Sequence, residues 1–184
     1  MRFQKDNSKL TAFHAGETIT IEAWGDDALR VRATVYPQFS NQNWALSETP
    51  KEVKDQVKIT LGDNDAEIVN GRIKATVNRA GIITFFRDGK KFLQEYYRNY
   101  DGTLSKESRC LKVTAREYKP YTAGDYHITQ RFESNPEEKI FGMGQYQHAL
   151  TDLKGCILDL EQRNSQVTIP FAVSNNGYGF LWNN

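Results

Sequence analysis

Asp159 and Glu161 are the carboxylate pair whose spacing could perform acid–base chemistry. They lie in the stretch Ile157–Glu161, which predicts a strand, so both side chains would face the same side of a sheet. Two carboxyl groups on either side of one bond are what glycoside hydrolysis requires. Paired charges on a solvated strand face are far commoner, and we favour that interpretation. Glu137 and Glu138, adjacent in a predicted turn, are weaker candidates.

Other reaction chemistries find little support in the residue types and their spacing. The three histidines are dispersed and form no His-x-x-x-His or Cys/His cluster, so no metal site is predicted. Ser174 lacks the Gly-x-Ser-x-Gly sequence that exposes a nucleophile. Gly142-Met143-Gly144 is half of a dinucleotide-binding fingerprint and opens no helical pattern, so these glycines are expected to let the backbone bend or approach something closely. No cofactor is implied.

The two cysteines, Cys110 and Cys156, are far apart and have no companion ligand at metal-binding spacing. We therefore predict two buried thiols.

Aromatic residues interleaved with amides and charges suggest sugar recognition, because aromatic rings suit the apolar faces of sugars. Strands are also enriched in aromatic residues, so packing is the favoured explanation. The residues concerned are Trp44, Tyr96, Tyr97, Tyr100, Tyr118, Tyr121, Tyr126 and Tyr146.

Composition places the chain among ordinary globular proteins. It has 184 residues and a net charge of +1, from 24 Lys and Arg against 23 Asp and Glu, so no field of one sign exists to attract nucleic acid or an acidic membrane surface. No apolar run approaches the ~20 residues of a membrane-spanning helix, and Met1–Leu10 has no secretory signal pattern. A cytoplasmic location is the default expectation, and the composition permits a homo-oligomer.

Alternating hydrophobicity and frequent turn residues predict an all-β fold with little helix. Asn70-Gly71 and Asp88-Gly89 supply the positive φ angles that tight hairpin turns require. So many short strands favour two packed antiparallel sheets, a β-sandwich, in one domain over residues 1–184. Strands are predicted at Thr18–Trp24, Ala28–Tyr36, Glu67–Val69, Arg72–Val77, Ile82–Arg87, Lys90–Tyr97, Leu111–Tyr118, Tyr126–Glu133, Ile157–Glu161, Val167–Val173 and Gly179–Trp182.

Ordered motifs in the C-terminal part resemble, in sequence and spacing, the N-terminal domain of family 31 glycoside hydrolases. They are Ile140–Gln145, Leu158–Asn164, Ile169–Phe171 and Ser174–Asn184. The resemblance implies a galactose-mutarotase-like β-sandwich that precedes a catalytic (β/α)8 barrel. In that family the nucleophile and the acid/base are two aspartates of the barrel, and neither motif occurs here. The resemblance therefore implies an accessory domain without catalytic residues, inactive alone, whose partners are its own downstream barrel and an α-linked oligosaccharide.

The resemblance also implies a substrate-binding loop. In the family a loop of this domain reaches the mouth of the active site, often with an Asn-Arg-Asp triplet, and Gln162-Arg163-Asn164 is similar in position. Asn164 would bond a sugar hydroxyl and Arg163 would position the loop; alternatively, these residues merely end the strand at Glu161. Gln145, where many members have Glu, and Asn164 in place of Asp favour an α-xylosidase over an α-glucosidase.

The rival hypothesis is a free-standing carbohydrate-binding module that uses exposed aromatic side chains.

Overall fold

The computed structural model describes residues 1–40, 57–98 and 113–183, and in these ranges the chain folds almost entirely as antiparallel strands. No α-helix occurs in the described ranges, which contain one 3₁₀ turn at Thr122–Gly124. The strands are β1 Arg2–Asp6, β2 Lys9–His14, β3 Glu17–Ala23, β4 Leu29–Thr34, β5 Val57–Leu61, β6 Asp65–Asn70, β7 Ile73–Asn78, β8 Ile83–Arg87, β9 Lys90–Gln94, β10 Arg116–Pro120, β11 Tyr126–Gln130, β12 Ile140–Gln145, β13 Val167–Ser174 and β14 Tyr178–Leu181.

The described residues divide into two compact units, with the boundary between Glu133 and Ser134. The first unit contains a four-stranded sheet in the order β1-β2-β3-β4, a five-stranded sheet in the order β5-β6-β7-β8-β9 and the β10-β11 hairpin. The second unit contains the three-stranded sheet β12-β13-β14.

The first unit is a β-sandwich whose two larger sheets share one apolar core. Alternate residues of each strand point inward, as the period of two along a strand requires. Burying these side chains removes apolar surface from water and is the main force that holds the sheets together. The fully buried side chains are Leu10, Ala12, Ile19 and Ile21 from the four-stranded sheet, and Ala66, Ile68, Ala75, Val77 and Ile83 from the five-stranded sheet. The predicted antiparallel β-sandwich is confirmed.

Two hairpin turns of the first unit are joined by hydrogen bonds. Asn70, at the inward-facing end of β6, is fully buried and its Nδ2 donates hydrogen bonds to the carbonyl oxygens of Gly25 at 2.7 Å and Ala28 at 2.8 Å. In return, the backbone N–H of Arg72 donates to Asp27 Oδ1 at 2.6 Å. The turn between β3 and β4 is therefore fixed by the turn between β6 and β7.

Several sequence predictions need correction. Ile157–Glu161 is not a strand, although it has the composition of one, because no neighbouring strand pairs with it in the described residues. β1, β2, β5 and β12 were not predicted. Cys156 is exposed rather than buried, since it lies in the irregular segment after Leu153. Cys110 and the first two residues of the predicted strand Leu111–Tyr118 lie outside the described residues. Of the rest, Val113 forms only an isolated bridge with Arg98, and β10 begins at Arg116.

Within the described part of the chain, no helix has the length and apolar character that crossing a membrane requires.

Candidate functional site

The candidate site is the connection between β12 and β13, residues 146–166, which we call the connecting segment. It ends in a tight reversal that carries the three predicted substrate-binding residues. Arg163 and Gln166 form an isolated antiparallel bridge, in which the N–H of Gln166 donates to the carbonyl of Arg163 at 3.2 Å. Asn164 and Ser165 form the tip, and Ser165 has a φ of 67°, in the left-handed region. The reversal is thus a defined turn.

Thr168, near the start of β13, is the hydrogen-bonding centre of this region. Its Oγ1 donates to the carbonyl of Glu161 at 2.7 Å and lies 2.9 Å from the hydroxyl of Tyr146. Its backbone pairs with the side-chain amide of Gln162: Nε2 donates to the Thr168 carbonyl at 3.0 Å, and the Thr168 N–H donates to Oε1 at 3.3 Å. One residue of β13 therefore holds both ends of the connecting segment.

Arg163 is engaged by the two carboxylates that first suggested catalysis. Its guanidinium forms ion pairs with Glu161 and, at 3.5 Å, with Asp159, and all three side chains are exposed. Asp159 and Glu161 therefore act as solvated partners of Arg163, in line with the interpretation favoured from the sequence.

Asn164 differs from its two neighbours. Its side chain is exposed and makes no hydrogen bond within residues 1–40, 57–98 and 113–183. A carboxamide offers both donors and an acceptor. Of the three predicted residues, Asn164 is the one whose side chain makes no hydrogen bond in the described ranges, so all of its hydrogen-bonding groups are available at the tip of the turn.

A buried carboxylate, Glu138, anchors the opposite end of the second unit's sheet. Although its side chain is only 6% exposed, Glu138 is fully hydrogen-bonded. Oε1 accepts from the hydroxyls of Ser174 at 2.6 Å and Tyr178 at 2.7 Å, and Oε2 accepts from Lys154 Nζ at 3.1 Å. Burial of the Tyr178 hydroxyl, together with its bond to Glu138, raises the pKa of this phenol. The carboxylate thus joins the sheet to the connecting segment.

Asp152 adds a second anchor beside this carboxylate. Its Oδ1 accepts from the N–H groups of Ile140 and Lys154, both at 3.1 Å. Leu153, the residue between Asp152 and Lys154, is buried, and its N–H donates to the Ile140 carbonyl at 2.7 Å. The first half of the connecting segment is therefore tied to the start of β12.

Acid should weaken the second unit through Glu138. Burial raises the pKa of this carboxyl, but the hydrogen bonds from Ser174, Tyr178 and Lys154 and the charge of Lys154 more than offset burial, so the pKa lies below its ordinary value. A lowered pKa in the folded state contributes stability above the unfolded-state pKa of about 4.3, and this stability is lost as the pH falls through the folded-state value.

Urea unfolding of the second unit can be followed by the NMR amide signals of Ile140 and Tyr178. In the native chain we expect the midpoint urea concentration to decrease as the pH is lowered from about 6 to about 3, and in Glu138→Gln we expect a much smaller decrease. Glu137→Gln is the matched control, because the Glu137 side chain is exposed and makes no bond in the part of the chain that the structure describes. A Glu138→Gln variant as acid-sensitive as the native chain would contradict this assignment.

Most of the aromatic residues serve packing. Tyr118 and Tyr126 meet edge to face at 6.1 Å between ring centres, and Tyr146 stacks on His148 at 5.7 Å. Tyr121 is the exception, being 61% exposed with its edge against the ring of His127. Tyr96 and Tyr97 are partly buried, and Trp44 and Tyr100 lie outside the described residues.

Sequence reasoning missed Thr168 and Lys154, and it considered Glu138 only as a weak catalytic candidate and not as a structural anchor. The roles of all three depend on how the connecting segment folds back on the sheet, which no local motif indicates. No group of three His, Cys, Asp or Glu side chains in the described ranges is arranged to hold a metal ion.

Comparison with known proteins shows the family to which this chain belongs. Residues 18–184 match the family model described as the glycosyl hydrolase 31 N-terminal galactose mutarotase-like domain. A relative described as an uncharacterised family 31 glucosidase from Pseudescherichia vulneris is 40% identical over 177 residues, which are 91% of this chain and 33% of that protein. Alpha-xylosidase A from Aspergillus niger is 29% identical over 195 residues, covering 98% of this chain and 26% of that protein.

Solved structures agree with these relatives. The crystal structure of a family 31 α-xylosidase from a soil metagenome, in complex with xylose, superposes with a TM-score of 0.90 and 41% identity, over 99% of this chain and 28% of that protein. The chain thus spans about a third or less of the length of these relatives. On the family-model match and the fold together, the chain belongs to the family of galactose-mutarotase-like N-terminal domains of family 31 glycoside hydrolases.

Proposed function

We propose that this chain is the non-catalytic N-terminal domain of a retaining α-glycoside hydrolase, and that it braces the catalytic barrel and supplies the turn at residues 163–166 to the sugar-binding site. The observation that carries the proposal is the close superposition on the α-xylosidase from the soil metagenome, whose chain is several times longer. Two of the three relatives described above are α-xylosidases and one is described as a glucosidase, and with Gln145 and Asn164 this favours an α-xylosidase that acts on a short α-linked oligosaccharide.

The bracing role is supported by an apolar surface on the second unit. Alternate residues of β13 point to one side of the sheet and are exposed. Surfaces of this kind mark docking sites in soluble proteins. The exposed side chains are Val167, Ile169, Phe171 and Val173, with Leu181 of β14 opposite Phe171.

The site itself supports an accessory rather than a catalytic role. Asp159 and Glu161 form ion pairs with Arg163, and Glu138 is buried and fully hydrogen-bonded. We place the parent protein in the cytoplasm, because the exposed thiol of Cys156 suits a reducing compartment.

Two measurements test the proposed function. An antibody raised to this chain should detect a native polypeptide several times larger than 21.1 kDa. That polypeptide should hydrolyse α-xylosides or α-glucosides, while the isolated 184-residue chain does not. A native band at 21.1 kDa, with measurable glycan binding by the isolated chain, would instead establish a free-standing carbohydrate-binding module.

A further inference from the structure

We infer that Gln162 is a positioning residue and not a sugar ligand, and that it acts through Asn164, the residue that contacts the sugar. The inference rests on the proposed function, because it requires the turn at residues 163–166 to reach a glycoside. It changes the assignment suggested by the resemblance, which counted Gln162 among the substrate-binding residues and gave the positioning of the loop to Arg163.

The first argument is the use that the structure makes of the Gln162 amide. Its nitrogen and its oxygen both face the backbone of Thr168, where they form two hydrogen bonds of opposite direction. The β14 ladder pairs with β13 only from Phe171 to Ser174, so Thr168 lies beyond its reach. The Gln162 side chain takes the place of a neighbouring strand at this edge, and a sugar hydroxyl could use the amide fully only by displacing those bonds.

The second argument is that the same contacts fix the approach to the turn. Thr168 Oγ1 bonds the Glu161 carbonyl, immediately before Gln162, and also contacts the hydroxyl of Tyr146 at the other end of the connecting segment. The bridge between Arg163 and Gln166 follows at once. A turn ordered before its ligand arrives loses less conformational entropy on binding, which favours affinity.

The third argument concerns which side chain is left for the ligand. Arg163 is paired with Asp159 and Glu161, whereas Asn164 is exposed and has no bond elsewhere in the described ranges. The left-handed Ser165 that follows Asn164 holds it at the tip of the turn. The geometry therefore divides the three residues into one that orders the turn, one that is neutralised by neighbours and one that is presented outward.

The isolated chain tests the ordering role. Gln162→Ala should increase the amide exchange rates and picosecond-to-nanosecond motion of residues 161–166, with the urea midpoint of the β12–β14 amides unchanged. Gln147→Ala is the matched control, because Gln147 is an exposed glutamine of the same segment whose side chain makes no bond in the described residues. Unchanged exchange and motion at residues 161–166 in Gln162→Ala would overturn the inference.

A double-mutant cycle in the full-length parent polypeptide tests the action through Asn164. Gln162→Ala and Asn164→Ala should each raise KM by about 3- to 10-fold with kcat unchanged, which corresponds to one hydrogen bond lost from both ground state and transition state. The double variant should be no worse than Asn164→Ala, because Gln162 has nothing left to position.

Additive effects on KM in an active parent would show that Gln162 contacts the sugar directly, and an unchanged KM in Asn164→Ala would show that the turn does not reach it. Either result overturns the inference while leaving the parent a hydrolase. A parent polypeptide with no glycosidase activity would overturn the proposed function itself, and the inference with it.

Discussion

Arg116→Met is expected to destabilise the first unit by about 3–5 kcal/mol at neutral pH, the range found when one partner of a buried ion pair is removed. Arg116 in β10 is 7% exposed and lies between two carboxylates. Its Nε donates to Glu17 at 2.7 Å, and its Nη1 bonds both carboxylate oxygens of Glu95, which is 3% exposed. Its Nη2 donates to the carbonyl of Gly81 at 2.7 Å. The side chain thus links β10 to three other parts of the sandwich.

The destabilisation caused by Arg116→Met should be smaller in acid, because the carboxylates left without their cation can then be protonated. Burial alone lowers the pKa of the Arg116 guanidinium, but Glu95 and Glu17 more than reverse this, so its pKa lies above the ordinary value and the charge is permanent. Burial already raises the pKa of Glu95 against the opposing effect of Arg116. Without the cation, the pKa of Glu95 rises further. A carboxyl with a raised pKa folds most easily while protonated, so the penalty is complete above that pKa and is relieved below it.

Urea denaturation of Arg116→Met at about pH 7 and about pH 4.5 measures both effects. Arg72→Met is the matched control, because it also removes an arginine with a carboxylate partner, Asp88, but both side chains are more than half exposed. Ion pairs of that kind contribute little, so the control should leave the unfolding free energy nearly unchanged. A variant at Arg116 as mild as the control, or one whose penalty does not fall in acid, would contradict the role assigned to this cluster.

Local turn chemistry made the centre of the first unit predictable. Asn70-Gly71 and Asp88-Gly89 fix tight hairpins wherever apolar residues alternate on either side, and the structure has strands on both sides of each. β1 has no such signal, because three of its five residues are charged and most of its side chains are exposed. Ile157–Glu161 has an apolar composition but no partner strand in the described residues, and pairing is not encoded in the segment itself.

The candidate site was suggested by resemblance, and its contact with a sugar stays a prediction. Resemblance assigned sugar contact to Asn164 and positioning of the loop to Arg163, and it gave Gln162 no separate role. Which of them is free depends on Thr168 and Asp159, and on a turn geometry that only the folded backbone defines. The anchoring role of Glu138 could not be predicted either, because its partners Ser174 and Tyr178 lie 36 and 40 residues away in the chain.

Gly144→Ala is expected to cost about 4 kcal/mol or more, at the exceptional end of single substitutions, and to separate β12 from β13. Glycines are disfavoured in strands, yet Gly142-Met143-Gly144 has three successive positive φ angles of 98°, 67° and 116° at a register shift in the β12–β13 ladder. A Cβ at Gly144 would lie 2.0 Å from the carbonyl oxygen of Val167 and 3.0 Å from the N of Ile169. Both contacts are backbone atoms, which cannot rotate away as a side chain can.

Gly155→Ala is the control that distinguishes the steric overlap at position 144 from backbone strain alone. Gly155 also has a positive φ, of 77°, but a Cβ there would meet nothing within 4 Å. The variant should therefore be destabilised by only about 1–2 kcal/mol, the cost of placing alanine in a left-handed conformation. Because Thr168 lies opposite Gly144 in the ladder, losing this pairing should also release the Gln162 amide and expose residues 161–168 to rapid amide exchange. Gly155→Ala should keep that protection. Equal losses of unfolding free energy in the two variants would mean that the glycine at position 144 is not needed for the close approach of β12 to β13. Unchanged amide protection of residues 161–168 in Gly144→Ala would mean that the turn at residues 163–166 is ordered without it.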